Sequence, residues 1–310
     1  MKLLKGPNQK HPYITKVESV EKGLQKGIVI LDKPPGPTSH QTITYLKNVL
    51  GIEKAGHSGT LDPRVTGVLP VALSDATRIT NYLLGQKKQY ITVMYVHEEK
   101  TKKEIENVLD EFKGEITQLP PKKSAVKRQE RQRSIQKLEI KEINGQDILL
   151  EVTCDAGTYI RKLIHDIGEK LGCGAHMADL RRTQSGGFTE EESHTIHEIS
   201  DQYHFYKKGE TNHFNKIIRP IEYGVRHHKK IWVYDSALES LSHGSYLKIP
   251  GIKAIEESIE KGDKVNVVSE KGRLVLIGES QITSKTIGER GIAVNTEQVY
   301  LKPIKKDEAR

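Results

Sequence analysis

Residues 56–69 read GHSGTLDPRVTGVL and place one carboxylate, Asp62, before a proline and among glycines at 56, 59 and 67. A proline disfavours the helical region at the residue before it, and glycine admits backbone angles that other residues avoid. Asp62 therefore belongs to a tightly shaped loop rather than to a helix face. An aspartate in such a place is either a turn residue or a reactive carboxylate. Two further polar residues stand in segments otherwise built for packing. Tyr90 ends the stretch Lys87-Lys88-Gln89-Tyr90, and Arg161 follows Gly157-Thr158-Tyr159 at the start of an amphipathic stretch. An arginine beside Asp62 would hold that carboxylate as an oriented anion, and such a carboxylate is a competent nucleophile. Taken singly, each of the three has a plainer reading: a turn aspartate, a core tyrosine and a surface arginine.

The second chemical signal is charge. Lys122 to Arg133 holds six basic residues among twelve, with Glu130 the one acid. That density suits a phosphate backbone, where each neutralised phosphate releases counterions, although a charge run also suits a solvated hairpin. Arg181-Arg182 forms a second basic spot. The chain contains no G-x-x-x-x-G-K-[ST] phosphate loop and no G-x-G-x-x-G fingerprint. Cys173-Gly-Ala-His176 has a ligand-like spacing, but no second pair matches it, so no metal site is expected.

These residues need elements to position them. GIVILDK (27–33) reads as a buried strand running into a Pro/Gly bend, after which Thr38 or Ser39 can cap a helix ending at Gly51. VLPVAL (68–73) is the next strand, SDATRITNYLLG (74–85) a capped helix, and KKQYITVMYV (87–96) a strand rich in β-branched and aromatic residues. A helix over about 101–112 precedes the basic stretch. Two strands then meet at Asn144-Gly145, a hairpin turn pair. Ile160, Leu163, Ile164, Ile167 and Leu171 recur at helical spacing, which turns Arg161 away from the apolar stripe. Residues 197–217 show no clear period and read as a connector. From about 230 the chain becomes a series of short β-type runs punctuated by Gly, Asp and Lys, which suggests a small β domain, barrel-like in form.

A length of 310 residues allows about two domains, and 35% hydrophobic against 29% charged residues supports sizeable cores with a solvated surface. The net charge of +8 favours polyanionic partners. Two cysteines make no disulfide framework, MKLLKGPNQK has no apolar signal core, and no apolar run approaches a membrane span. The expectation is a cytoplasmic protein without membrane contact.

In this order the motifs resemble a known family. GHSGTLDPRVTGVLP (56–70) is similar to the signature of the RNA pseudouridine synthases of the TruB and dyskerin group. LDKPPGPTSH (31–40), KKQY (87–90), PPKKSAVKR (120–128), GTYIRKLIHDIGEKLG (157–172) and LRRTQSG (180–186) extend the resemblance over nearly the whole chain. DQYHFYKKGE (201–210), IIRPIEY (217–223) and a C-terminal stretch similar to a PUA RNA-binding domain point to the dyskerin branch. Without the Lys-rich tail of eukaryotic dyskerins, the chain resembles archaeal members.

The resemblance implies an α/β (α+β) catalytic domain on a mixed, largely antiparallel central sheet over 27–228, and a small β-barrel-like PUA domain over 229–305. Residues 1–26 would form a strap on the PUA domain. It implies Asp62 as the catalytic carboxylate, Tyr90 as the residue that stacks on the target base, and Arg161 as the partner of Asp62. His57 would help displace the base. Substrate binding would also involve Lys33, Arg64, Tyr159, Arg181 and Arg182, with Lys127, Arg128, Arg131 and Arg133 in a mobile thumb over 122–134. Lys33 would be the more structural of these. Position 64 holds Arg where archaeal relatives would carry Lys, which keeps the charge. The implied activity is guide-directed isomerisation of uridine in ribosomal RNA, with no cofactor and no metal. The implied partners are an H/ACA guide RNA and small zinc-ribbon-type, β-barrel and kink-turn-binding proteins. A standalone enzyme of the transfer-RNA T-loop and a non-catalytic RNA scaffold are the alternatives.

Overall fold

Buried and half-exposed residues alternate strictly along Lys88–Val96, as a strand in the middle of a sheet requires. In the computed structural model, which describes residues 11–120, 127–210 and 213–303, this segment has a neighbour on each side. The first sheet includes β1 (Gly27–Lys33), β2 (Ala55–His57), β3 (Thr66–Leu73), β4 (Lys88–Val96), β5 (Gly114–Gln118), β6 (Arg131–Asn144), β7 (Asp147–Cys154), β8 (Ala175–Ser185) and β9 (Phe188–Thr189). Their order is β1-β3-β8-β4-β7-β6-β5, with β2 paired to β3 and β9 to β8. Among these pairings only β3 with β8 is parallel. The mixed, largely antiparallel sheet expected from the sequence is present, with the hairpin turn between β6 and β7 at Asn144 to Asp147.

Helices α1 (Val20–Lys26), α2 (Ser39–Leu50), α3 (Thr80–Leu84), α4 (Lys102–Glu111), α5 (Ile160–Lys170) and α6 (Ile196–Lys207) accompany the sheet. Thr38 caps α2 in a reciprocal box with Gln41, and Gly51 closes it in the left-handed conformation. The buried stripe of α5 is Ile160, Leu163, Ile164 and Ile167, packed in one cluster with Met94, Leu150 and Val152 of the sheet.

Two expectations are corrected. Residues 74–85 do not form one helix. Ser74–Ile79 is a 3₁₀ turn ahead of α3, tightened by the Thr77 and Thr80 hydroxyls, which donate to the carbonyls of Ser74 and Thr77 at 2.8 Å each. Residues 196–207, read as part of a connector, form α6. Thr195 caps this helix by accepting from the Glu198 amide at 3.1 Å. Ile199 is its one buried residue, and a stripe that thin leaves no period to read.

The chain divides into two compact units, Ser19–Ile218 and a second made of residues to Glu18 together with Arg219 onward; β10 (Ile218–Pro220) lies at the division. The second unit carries β11 (Lys229–Val233), β12 (Leu247–Lys248), β13 (Ile252–Ile255), β14 (Lys264–Val268), β15 (Leu274–Ser280) and β16 (Ile292–Val299), in the order β12-β16-β15-β14-β11-β13. This nearly closed, barrel-like sheet wraps a core of Ile231, Val233, Leu247, Val265, Val267, Val275 and Val294. The N-terminal segment belongs to the same unit. The Trp232 indole donates to the Pro12 carbonyl at 2.9 Å, and the Tyr13 hydroxyl to the Glu222 carbonyl at 2.5 Å. Among the described residues no helix is long and apolar enough to cross a membrane.

Candidate active site

The loop between β2 and β3 carries Asp62, and its shape is set from beneath. Leu61 and Val65 are buried in the main core, while Asp62, Pro63 and Arg64 between them are exposed. The Val65 amide donates to the Asp62 carbonyl at 3.0 Å, which closes the turn. Lys33, fully buried at the end of β1, donates from its ammonium to the carbonyls of Pro34, Pro63 and Val65, each at 2.9 Å. Three carbonyls saturate its donors and offset the loss of water. Burial still moves the Lys33 ammonium below its ordinary pKa, opposed by the negative charge of Asp62.

Ser39 completes the anchorage. Its hydroxyl both donates to the Leu61 carbonyl at 3.0 Å and accepts from the Leu61 amide at 2.9 Å. The Gly36 amide donates to the Pro63 carbonyl at 2.9 Å. The bend after β1 and the start of α2 thus serve one purpose, to fix the backbone on both sides of Asp62.

Arg161 reaches this loop from the first turn of α5 and donates to the Asp62 carboxylate. Both side chains are more than half exposed, 58% for Arg161 and 53% for Asp62, so the pair faces outward. The start of α5 is itself clamped. The Gln118 amide group, buried at the end of β5, accepts from the Tyr159 N–H at 3.0 Å and donates to the Tyr159 carbonyl at 3.2 Å. Ser39 and Gln118 escape sequence reasoning, because each acts on the backbone of a segment distant in the chain. The one signal in the sequence is a polar residue placed where an element ends.

Tyr90 lies on β4 opposite Val152 of β7 and Arg182 of β8, 8% exposed, in the same apolar cluster as Leu61 and Val65. Burial pushes its phenol pKa up, and the positive charge of nearby Arg182 pulls the other way. His57 ends β2, and burial chiefly, then the charge of Arg182, lowers its pKa; its imidazole is accordingly neutral at pH 7. Its Nδ1 is buried without a hydrogen-bond partner among the described residues.

The remaining candidates separate. Arg64 is exposed beside Asp62, and Tyr159 is half-buried ahead of α5. Arg181 grips the Asp32 carboxylate through two bonds of 3.0 Å and Glu190 through one of 2.9 Å. Arg182 is 1% exposed. The pair read as a basic spot therefore divides: Arg182 is buried, while Arg181, 36% exposed, is held by two carboxylates, since adjacent strand residues face opposite sides and each side holds acceptors. Lys127 and Arg128 are exposed, and Arg131 and Arg133 half-buried at the start of β6. Residues 122–126 of the expected thumb lie outside the described residues. Among the described residues no group of three or more His, Cys, Asp or Glu could hold a metal ion.

The site is thus an outward-facing carboxylate–guanidinium pair on anchored backbone, with a buried tyrosine behind it. Residues 47–160 match the family described as TruB family pseudouridylate synthase (N terminal domain). Residues 161–226 match the tRNA pseudouridylate synthase B C-terminal domain, and residues 229–300 the PUA domain. A Methanopyrus kandleri protein named "Probable tRNA pseudouridine synthase B" is 46% identical over 287 residues, 92% of this chain and 85% of that protein.

The chain belongs to the TruB family of pseudouridine synthases.

It is therefore an RNA uridine isomerase with a PUA domain. A Thermococcus onnurineus relative of the same printed name is 47% identical over 95% of this chain and 89% of its own. Two solved structures resemble the fold closely. One, described as an H/ACA RNP bound to a substrate RNA containing 2′-deoxyuridine, matches with a TM-score of 0.87 and 42% identity, covering 97% of this chain and 94% of that one. The other, a Cbf5-Nop10-Gar1 complex, matches with a TM-score of 0.87 and 43% identity over 97% of each.

Proposed function

We propose that this TruB-family enzyme is the catalytic subunit of a guide-RNA-directed particle that converts uridine to pseudouridine in ribosomal RNA, with Asp62 as the catalytic carboxylate. The observation that carries this reading is the Asp62–Arg161 pair, presented outward on a loop whose backbone is held by Lys33 and Ser39. Isomerisation breaks the bond from the base nitrogen to the sugar and forms one from a base carbon; the proton lost from carbon is balanced by one gained at nitrogen. No water or redox partner enters the balance, and a single carboxylate suffices to add to the sugar or base, or to assist an unsaturated sugar intermediate. Hydrolysis of a glycosidic bond ordinarily uses two carboxylates, one of them to activate water.

A stacked base cannot reach Asp62, so the nucleotide is flipped out, at a cost of roughly a few kcal/mol. Tyr90 as a stacking platform, His57 as the group displacing the base, and phosphate contacts from Arg64 and the segment 127–133 offset that cost. In this reading residues 27–228 form the catalytic domain and 229–305 the PUA domain. The latter grips the end of the guide, with residues 11–18, rather than the expected 1–26, as a strap upon it, since Val20–Lys26 belongs to the first unit. Small zinc-ribbon-type, β-barrel and kink-turn-binding proteins complete a cytoplasmic particle. The likeness to solved H/ACA particles at 42% identity supports the guide-directed form.

The printed names of the curated relatives favour a second reading, a standalone enzyme acting on transfer RNA. Reconstitution separates the two: the chain is incubated with unmodified transfer RNA alone, and with ribosomal RNA, guide and small partner proteins. Pseudouridines that appear in ribosomal RNA and move when the guide is changed support the first reading. Efficient turnover of transfer RNA with none in ribosomal RNA supports the second. In either setting Asp62→Asn is expected to abolish product while RNA affinity stays within about twofold. Product formed at a comparable rate by that variant removes Asp62 from the mechanism.

A further inference from the structure

Arg161 is the second residue of α5, and it meets the Asp62 carboxylate at an exposed surface. An exposed ion pair is worth too little to dictate where a helix begins. The place of Arg161 is therefore set by the backbone that leads into it.

That backbone lacks the usual helix start. Tyr159, the residue ahead of α5, makes no side-chain cap, and the first turn carries no acid. A residue 41 positions away takes hold instead. Gln118 is 3% exposed, and its carboxamide accepts from the Tyr159 N–H at 3.0 Å and donates to the Tyr159 carbonyl at 3.2 Å. The same carbonyl accepts from the Leu163 amide at 3.0 Å, the opening bond of the helix. A cap from the helix's own sequence would secure its amides wherever the helix stood. A two-point bond from another strand fixes the helix start against that strand.

The rest of the approach is fastened to the neighbouring strand, β6, which pairs with β5 so that Arg131 lies opposite Gln118. The Asp155 amide donates to the Ser134 carbonyl at 3.0 Å. The Asp155 carboxylate accepts from the Ser134 amide at 3.0 Å and from the Gln136 side chain at 2.8 Å. Between them Gly157, with φ +80°, lets the Arg133 guanidinium lie close, since an added Cβ would stand 3.1 Å from its nearest nitrogen. The segment 155–159 is thus held at both ends by the β5–β6 edge, and Arg161 follows two residues on.

We propose that Gln118 is a positioning residue for the isomerisation: its carboxamide, with Asp155 holding the other end of the same loop, sets the start of α5 and thereby where Arg161 meets Asp62. This rests on the reading of Asp62 and Arg161 as site residues. Gln118 touches no reacting atom; it acts through the Tyr159 backbone and through Arg161. The edge that holds the loop also carries Arg131 and Arg133, so the arginine of the site takes its aim from the strand that bears the proposed RNA contacts.

The test is a double-mutant cycle on the full chain in the reconstituted system. Single-turnover rates at saturating RNA, RNA affinity and urea midpoint are measured for Gln118→Glu, Gln118→Met, Arg161→Met and the Gln118→Met/Arg161→Met double variant. Gln118→Met loses both bonds to Tyr159. It is expected to slow the reaction by ~30-fold, with affinity within about threefold of the parent. Gln118→Glu keeps an acceptor for the Tyr159 amide and loses the donor, so its rate is expected to fall between the parent and Gln118→Met. In the Arg161→Met background, Gln118→Met is expected to slow the reaction by less than about threefold more, because its effect runs through the missing guanidinium. Effects that multiply in the double variant overturn the proposal. So does a parental rate in Gln118→Met, whatever its urea midpoint, since a purely structural residue would lower stability and spare the rate. Should Gln118→Met not fold, the cycle is run with Gln118→Glu under the same criteria. Failure of the underlying reading is seen separately, as activity retained by Asp62→Asn.

Discussion

The two faces of the site handle charge in opposite ways. In front, Asp62 and Arg161 pair with each other and remain more than half exposed. Behind, Lys33, Lys88 and Arg182 are all but closed to solvent, and their hydrogen bonds go to carbonyls and hydroxyls. An exposed ion pair is worth about 0–1 kcal/mol in stability, whereas a buried cation is held only if nearly every donor is satisfied. The front is thus free to rearrange around a nucleotide at little cost to the fold. The rear holds the geometry from which the rearrangement starts. Changes in front should alter rate and spare stability; changes behind should alter stability first.

Arg161→Met gives the largest effect and the sharpest test of that division. Single-turnover formation of pseudouridine is expected to fall by ~100-fold or more, with the urea midpoint unchanged. A matching drop in stability would show that the front pair also supports the fold. Next comes Lys33→Met, which leaves three carbonyls without their donor. It should cost about 3 kcal/mol in urea denaturation, with activity lost in step as the loop loosens. If stability holds while the rate collapses, the two faces are not distinct.

Lys88 offers a test through pH. Burial, with the neighbouring Arg182 charge, lowers its ammonium from 10.5 to about 7. Between those values the unfolded chain holds the proton and the folded chain does not, so stability rises with pH across that window. Below pH 7 both states are protonated and the penalty is fully present. Lys88→Met lacks this term. The stability of the parent relative to Lys88→Met should therefore grow from pH 7 to pH 10, by at most about 1.4 kcal/mol per unit. A difference that does not vary with pH would mean that Lys88 titrates normally. The smallest effect belongs to Ser39→Ala, about 1–2 kcal/mol by urea denaturation, since both backbone groups of Leu61 lose their partner. No measurable cost would show that the loop is held by Lys33 alone.

Much of this was legible in the sequence, and the rest has a common cause. The Asp62 loop could be read because Asp-Pro among glycines restricts the backbone locally. The α5 stripe could be read because its apolar spacing repeats three times. The burial of Arg182 could not, because its acceptors at Gly59 and Val68 lie 123 and 114 residues away. Its neighbour Arg181 looks like the same surface residue in the sequence, yet finds Asp32 at a separation of 149. Thr38 and Ser39 were equal candidates to cap α2. Only the position of Leu61, 22 residues on, explains why Thr38 takes the cap and Ser39 the loop. Contacts inside one turn leave marks in the sequence, and contacts across the sheet leave almost none.

Lys33 holds the Asp62 loop through carbonyl oxygens, which every amino acid supplies. The tether is therefore indifferent to which side chains stand at the loop's outer edge. An exchange such as Lys for Arg at position 64 alters an exposed side chain and leaves the tether beneath it in place.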